Sequence, residues 1–278
     1  MNGHAVLAFV ALAMTAPAAI AAPSKEELVE RKQALEKKLA GKGYTVVVEA
    51  PFVVIGDEPA AKVRSRAHFV RWVVRLIEQD FFAKQPDKLI EIWLFKNERT
   101  YRRGAKLYFD DEPETPFGYY SSTDNALVMN IGPGAGTLSH ELVHPYIEAN
   151  FPDSPSWFNE GLASLYEQPR ERDGHMWGTT NWRLPGLQAM IKKRSLPTVR
   201  ALMATTSDGF YEANYDSYAY ARFLVQYLQD HGKLRDFYKR FVADTEDLTG
   251  QRALEAVLGT DLDAFQATFE KWALSLRR

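Results

Sequence analysis

The chain has 278 residues, of which 46% are hydrophobic and 25% are charged. This composition is typical of a globular protein and excludes a disordered, collagen-like or multi-span membrane protein. The formal net charge of -2 gives no general attraction to nucleic acid or to an anionic membrane surface. The absence of cysteine excludes disulfides, thiolate nucleophiles and cysteine-ligated metals. A metal site in this chain must therefore use histidine, aspartate or glutamate.

An apolar N-terminal segment predicts export. The segment before Lys25 contains no Lys, Arg, Asp or Glu, and an alanine-rich run ends in the small-x-small pattern Ala19-Ile20-Ala21. We predict that residues 1–21 are a signal peptide and that the mature protein is periplasmic or secreted, with no membrane attachment after cleavage. An uncleaved membrane anchor is the alternative.

Hydrophobic patterning divides the remaining chain into three parts. Residues 22–43 form an N-terminal helix that begins with a capping box of Ser24 and Glu27. Residues 44–135 contain the strands, and residues 136–278 are mainly helical. Within the middle part we predict two hairpins (Tyr44–Glu49 with Phe52–Ile55, and Phe117–Ser122 with Ala126–Ile131), a helix over Val63–Phe81, a strand over Leu89–Phe95 and a helix after Asn97. Strands followed by helices predict an α+β fold with a small mixed or antiparallel N-terminal sheet.

The pattern HExxH at His140, Glu141 and His144 is typical of a zinc site. Residues four apart lie on one face of a helix, so both imidazoles can bind one ion while Glu141 projects beside them. Roughly 0.01 matches are expected by chance in a chain of this length and composition. A pair of helical histidines without a metal is the alternative.

A catalytic zinc needs a third protein ligand and an open fourth position. Glu160 is the candidate, because a turn-rich stretch over residues 150–155 could return a second helix across the histidine pair. Glu148 and Glu167 are the other carboxylates to consider.

The segments HELVH and WFNEGLA together resemble the gluzincin metallopeptidases of the peptidase MA-like group. The resemblance implies a zincin-like fold and one Zn²⁺ per chain on His140, His144 and Glu160. It also implies that Glu141 is the general base in cleavage of a peptide or protein substrate. The strand Ala126–Ile131 is similar to the edge strand that receives the substrate backbone in such peptidases.

Several tyrosines follow the metal segments, and a neutral phenol can stabilise a developing oxyanion. The candidates share one short segment: Tyr211, Tyr215, Tyr218 and Tyr220. The resemblance favours Tyr215 as the catalytic tyrosine, with Tyr218 as the second choice. Aromatic core packing is the alternative for all four.

Two residues depart from the family pattern. Pro145 follows His144 directly and removes the helical hydrogen bond to the Glu141 carbonyl, which predicts a bend. Ser164 stands where some relatives have a carboxylate that orients a ligand histidine, so no residue is assigned to that role.

Two further features are candidates for assisting catalysis. His175 and His231 could each assist a transition state, although a loop and a helix end are the simpler interpretations. The stretch between Gln168 and Gly186 could form the rim of a cleft and bind a substrate carboxylate, or could be a solvated loop. Its aromatic and basic residues are Arg170, Arg172, Trp177, Trp182 and Arg183.

The sequence therefore predicts an exported zinc-dependent peptidase. One alternative is a noncatalytic exported protein that holds a metal or has a structural role. Another is a zinc amidase that acts on a non-protein amide such as cell-wall material.

Overall fold

A computed structural model of the protein describes residues 22–213 and 215–277, apart from the side chain of Tyr215. The predicted signal peptide, residues 1–21, lies outside the described residues. The strands are β1 (Thr45–Glu49), β2 (Phe52–Gly56), β3 (Ile90–Phe95), β4 (Gly118–Ser121), β5 (Ala126–Asn130), β6 (Pro169–Arg172) and β7 (His175–Gly178). The helices are α1 (Lys25–Lys38), α2 (Ala60–Asp80), α3 (Glu98–Phe109), α4 (Gly136–Glu141), α5 (Val143–Asn150), α6 (Ser156–Leu165), α7 (Leu184–Lys193), α8 (Val199–Met203), α9 (Ser207–Glu212), α10 (Tyr215–Asp230), α11 (Leu234–Ala243), α12 (Gln251–Leu258) and α13 (Leu262–Ser275).

The main sheet has five strands in the order β1-β2-β3-β5-β4. Both predicted hairpins are confirmed, because β1 pairs antiparallel with β2 and β4 pairs antiparallel with β5. The three central strands β2, β3 and β5 are parallel to one another, so α2 and α3 lie in crossover connections between them. The α+β prediction and the mixed sheet are confirmed.

The prediction of which strand lies at the edge of the sheet is wrong. We expected the strand Ala126–Ile131 at the edge, but β5 lies between β3 and β4, and β4 is the edge strand. The physical reason is burial. All five residues of β5 are buried, whereas three of the four residues of β4 are partly accessible. A strand covered on both faces belongs inside a sheet.

Alternate residues of the central strands enter two different cores. Val53, Trp93 and Val128 face the core beneath α1 and α3. Phe52, Ile92 and Leu127 face the larger core, which α2 and the C-terminal helices complete. The strands are consequently hydrophobic at nearly every position, as expected for a sheet with helices on both faces.

The early helices begin where their caps predict. Ser24 and Glu27 form the reciprocal capping box of α1, and the Asn97 side chain accepts from the Thr100 amide at the start of α3. Among the described residues, no helix has both the length and the hydrophobicity needed to cross a bilayer.

We interpreted the segment 168–186 either as the rim of a cleft or as a solvated loop. The structure shows that it is not a plain loop. Residues of this segment form the two-stranded ribbon β6–β7, and His175 lies in β7. Asp173 and Gly174 both have positive φ in the turn, with values of 53° and 80°. A two-residue turn of this kind matches the twist of a hairpin and favours Asp-Gly.

Candidate metal centre

The HExxH segment forms a helix that is interrupted after its first turns. The structure divides it into α4 and α5 at Leu142, which itself keeps right-handed helical angles (φ -64°, ψ -22°). Pro145 has no amide hydrogen, so the Glu141 carbonyl lacks the donor that a regular helix would supply. The interruption predicted from Pro145 therefore falls within the motif, between Glu141 and Val143.

Helix α6 carries Glu160 back to the histidine pair. Pro155 occupies its cap position without a side-chain hydrogen bond, and Ser156 is the first helical residue. Gly161 follows the candidate ligand directly and packs on α10. A Cβ atom on Gly161 would lie 3.0 Å from the Ala221 carbonyl oxygen, so a larger residue would push these helices apart.

Two contacts join the start of α4 to the end of α6. The Ser139 hydroxyl donates to the Tyr166 carbonyl at 2.7 Å. A Cβ atom on Gly136 would lie 2.5 Å from the Glu167 carbonyl oxygen, so glycine permits this close approach of the backbones. Helix α4, which carries His140, and helix α6, which carries Glu160, are thereby held together at the site.

The structure brings His140, His144 and Glu160 together. One candidate ligand atom from each residue lies within 4.8 Å of the others. His140 Nε2 and Glu160 Oε2 are 3.2 Å apart. Two ligand atoms on one tetrahedral zinc are separated by roughly 3.3 Å, because zinc–nitrogen and zinc–oxygen bonds are about 2.0–2.2 Å long. The spacing and the donor set, two imidazoles and one carboxylate, fit zinc.

The electrostatics of the cluster also favour a cation. Burial opposes charge on the His140 ring, but Glu160, Glu141 and Glu167 outweigh it and raise the His140 pKa to about 9. Burial likewise opposes ionisation of Glu160, but His144 and His140, with a hydrogen bond from Tyr211, lower the Glu160 pKa to about 2. A site that attracts a proton this strongly would also attract a metal dication.

Each histidine has a polar neighbour at Nδ1, the ring nitrogen that is not a candidate for binding the metal. His144 Nδ1 lies 2.8 Å from Asn159 Oδ1, which leaves His144 Nε2 for a metal. Glu167 Oε1 lies 3.6 Å from His140 Nδ1, a buried nitrogen with no hydrogen-bond partner in the described structure. Ser164 does not take this role, because its buried hydroxyl has no partner there either. Asn159 and Glu167 can therefore orient the two histidine rings.

The Glu167 carboxylate is held in place by Arg183 and Asn181. Arg183 Nη2 donates to Glu167 Oε1 at 2.7 Å, Arg183 Nε donates to Glu167 Oε2 at 3.2 Å, and Asn181 donates to the same oxygen at 2.8 Å. Arg183 thus binds a protein carboxylate, which disfavours our earlier interpretation that it binds a carboxylate of the substrate. Its contacts stabilise the Glu167 charge beside His140.

Glu141 has the environment of a general base. It is buried, and burial raises its pKa above the usual value, although His140 and His144 oppose the rise. Its Oε2 lies 3.7 Å from His144 Nε2. The backbone of Tyr120 in the edge strand β4 also opposes this rise in the Glu141 pKa, so Glu141 lies near β4. A carboxylate with a raised pKa takes up a proton more readily.

The tyrosine nearest to the cluster is Tyr211. Its hydroxyl donates to Glu160 Oε1 at 2.9 Å, so it stabilises a candidate ligand. Tyr218 lines the same cleft, and burial, followed by the nearby Glu160 charge, raises its pKa above the usual range. Tyr215, our first choice, begins α10, but its side chain lies outside the described part of the chain. Tyr220 is buried in the core.

A cleft of about 1240 Å³ exposes the cluster. Its lining includes all three candidate ligands, Glu141 and residues of the edge strand β4. The outer edge of an edge strand presents unpaired backbone groups to a ligand that adds as a further strand. The cleft can therefore accommodate an extended chain beside the candidate ligands and Glu141.

The two other late histidines lie away from this cleft. His175 Nδ1 lies 2.5 Å from Asp80 Oδ1, and His231 Nδ1 lies 2.8 Å from the Tyr227 carbonyl oxygen. Neither histidine lines the cleft. Glu148 lines it, but its carboxylate accepts from the Tyr120 hydroxyl at 2.9 Å and is not part of the metal cluster.

Sequence reasoning missed Asn159, the orienting role of Glu167 and the contact of Tyr211 with Glu160. Asn159 adjoins the candidate ligand, and Glu167 follows Glu160 by seven residues, which is close to two turns of an α-helix, although α6 itself ends at Leu165. Those spacings could have identified both. Tyr211 approaches Glu160 only through tertiary folding, and its sequence position gives no such signal. No protein-family model matches the chain, and no curated protein matches its sequence.

Proposed function

We propose that this protein is an exported zinc-dependent hydrolase that cleaves peptide bonds, with a site of the gluzincin type. One observation carries the proposal: a buried glutamate, Glu141, adjoins the His140, His144 and Glu160 cluster on the lining of an open cleft. A structural zinc site closes all four positions with protein ligands. This cluster offers three ligands and faces the cleft, which favours a catalytic site.

The position of strand β4 in the fold also supports the proposal. The resemblance to gluzincins implies an edge strand that receives the substrate, and the antiparallel edge strand β4 is a candidate for this role. Tyr120 in β4 and Glu141 in the motif line the same cleft, and the Tyr120 backbone affects the Glu141 pKa. An extended substrate that pairs with the outer edge of β4 would therefore pass the general base.

Different residues of the chain have different roles in the proposed reaction. When bound, zinc supplies a Lewis acid that polarises the scissile carbonyl and lowers the pKa of the attacking water. Glu141 accepts the proton of that water and then donates it to the leaving amine. Tyr218 donates its phenolic hydrogen to the developing oxyanion, since the Tyr211 hydroxyl is already bound to Glu160. Asn159 and Glu167 hold the histidine rings in orientation.

Export is part of the proposal. It is supported by the alanine-rich apolar segment that ends at Ala21, a pattern typical of a signal peptide. Partition of the full-length chain between cytoplasm, membrane and exported fractions tests it.

An unbiased peptide-cleavage profile of the zinc-loaded protein tests the proposed reaction. We expect cleavage that a chelator abolishes. Glu141→Gln keeps the size of the side chain and should leave zinc bound, but it removes the proton acceptor. Turnover should fall by about 10²- to 10⁴-fold.

Glu148→Gln is the matched control, because Glu148 lies on the adjoining helix, lines the same cleft and is outside the metal cluster. It should change turnover by no more than a few-fold. Turnover of Glu141→Gln close to that of the wild type would exclude the proposed mechanism.

A further inference from the structure

The cleft is unusually rich in aromatic side chains. Of the 25 residues that line it, six are aromatic, which is 24% against 13% for the whole chain. They are Phe117, Tyr119, Tyr120, Trp182, Tyr211 and Tyr218. Ile147 is the one branched aliphatic residue on the lining. The apolar side chains that the cleft offers to a ligand are thus mainly aromatic.

Three of these rings are exposed, although they are large and apolar. Phe117 is 49% exposed, Trp182 is 40% exposed and Tyr211 is 46% exposed. The described residues have six exposed large hydrophobic side chains, and these three are half of them. The cleft lining makes up about a tenth of the described residues, so fewer than one would be expected there by chance. Exposed apolar surface gathered in one place marks a binding site.

The exposed rings come from three separate segments around the metal cluster. Phe117 precedes the edge strand β4, Trp182 follows the ribbon strand β7, and Tyr211 lies in α9. The Tyr211 hydroxyl binds Glu160, which places this ring directly beside a candidate metal ligand. The Tyr211 and Tyr218 ring centroids are 6.4 Å apart, so the aromatic surface continues from one tyrosine to the next.

We infer that the cleft selects peptides with aromatic side chains close to the bond that is cleaved; this inference rests on the proposed peptidase function. Rings pack on rings through offset-stacked and edge-to-face contacts, which aliphatic side chains cannot make. Because the lining has six rings and one branched aliphatic side chain, it discriminates in favour of aromatic residues. Phe117 and Trp182 are the specificity-determining residues.

A peptide fits this cleft better than a glycan does. Sugar rings also stack on aromatic side chains, but a glycan has no main chain that could add to a sheet as a further strand. The backbone edge of β4, by contrast, suits the main chain of an extended peptide.

Peptides that differ only at the two positions flanking the cleaved bond test the inference. For the zinc-loaded wild type, we expect kcat/KM to be about tenfold or more higher with Phe than with Ala, and about threefold higher with Phe than with Leu. Phe117→Leu keeps an apolar side chain but removes the ring, and Trp182→Leu does the same. Each should reduce the preference for Phe over Leu to about one.

Leu107→Ala provides the matched control, because Leu107 is 60% exposed and lies outside the cleft lining. It should keep the wild-type preference. Binding of the same peptides to zinc-loaded Glu141→Gln, measured by calorimetry, gives a readout that does not depend on turnover. The Phe peptide should bind about tenfold more tightly than the Ala peptide, and Phe117→Leu added to this variant should reduce the difference.

The outcomes separate this inference from the proposed reaction. Equal cleavage of Phe, Leu and Ala peptides would overturn the inference and leave the peptidase proposal standing. Absence of cleavage with selective binding of Phe peptides would support the inference about the ligand and contradict the peptidase proposal. Failure to bind any peptide, with binding of a cell-wall disaccharide-peptide that Phe117→Leu weakens, would overturn the inference in favour of a glycan-bearing ligand.

Discussion

Glu167 Oε1 lies 3.6 Å from Nδ1 of His140, and both side chains are buried. That nitrogen has no hydrogen-bond partner among the described residues, whereas Glu167 is bound by Arg183 and Asn181 from the opposite side. The carboxylate is therefore fixed in place and faces an unsatisfied donor. A small movement of the ring would convert this approach into a hydrogen bond that orients His140 toward a metal.

Glu167→Gln should weaken zinc binding without removing it. The substitution keeps the shape of the side chain but removes the charge that faces His140. Loss of such an orienting group typically costs 10- to 100-fold in metal affinity, and we expect a loss in this range. Competition with a chelator measures it. Glu148→Gln should bind zinc like the wild type, and equal affinity for Glu167→Gln would show that this contact does not act on the metal.

Glu160→Gln should have a larger effect on zinc. Glutamine is neutral and a poorer ligand for a dication than a carboxylate. The variant also loses the negative charge that, with Glu141 and Glu167, raises the His140 pKa. We expect zinc retention to fall as far as in His144→Ala. Full zinc occupancy of Glu160→Gln in the presence of a chelator would contradict its assignment as the third ligand.

The two described tyrosines of the cleft should behave differently. Tyr211→Phe removes a hydrogen bond to Glu160 and should lower zinc affinity. Tyr218→Phe should leave the zinc content unchanged and lower kcat by roughly ten- to a thousandfold with little change in KM. Steady-state kinetics and metal analysis of both variants separate these effects. Tyr215→Phe is the necessary comparison, and a larger loss of kcat there would transfer the oxyanion role to Tyr215.

Zinc affinity should rise with pH. A proton must leave His140 before a metal can bind, and the carboxylates around His140 raise its pKa from 6.5 to about 9 in spite of burial. We therefore expect zinc affinity to increase up to about pH 9, by at most tenfold per pH unit. Titrations with a competing chelator at several pH values measure the slope. A zinc affinity that is constant between pH 6.5 and 9 would contradict the charge environment described for His140.

The stability of the metal-free protein should change in the opposite direction. Because the His140 pKa is higher in the folded state, its contribution to stability is fully present below pH 6.5 and is lost as pH rises toward 9. Thermal melts of chelator-treated protein should therefore show a falling Tm over this range. In Glu160→Gln the fall should be smaller, since a main partner of the protonated ring is missing.

The local elements of the fold could be predicted because their signals lie within a few residues of each other. The capping box of Ser24 and Glu27 and the cap at Asn97 are examples, and both hairpins followed from strand patterns close in sequence. The turn at Asp173-Gly174 had an equally local signal for the ribbon, which our interpretation as a loop overlooked. The parallel pairing of β2, β3 and β5 depends on how crossover helices pack, and local patterns do not encode it.

The same distinction applies to the candidate site. His140 and His144 are related by helical spacing, and the turn before α6 made the return of Glu160 predictable. The contact between Tyr211 and Glu160 joins residues 51 positions apart through the packing of α9. The tyrosine segment offered several similar candidates, and no local pattern indicates which of them contacts Glu160. The edge position of β4 likewise follows from the assembled sheet.

Diffraction from zinc-soaked crystals of the mature protein, recorded at the zinc absorption edge, tests the central claim most directly. We predict one anomalous peak per chain, bonded to His140, His144 and Glu160 at about 2.0–2.2 Å, with an open position toward the cleft. The peak should disappear when the crystals are soaked in chelator. A peak elsewhere in the chain, or a fourth protein ligand closing the site, would contradict a catalytic zinc centre on these three residues.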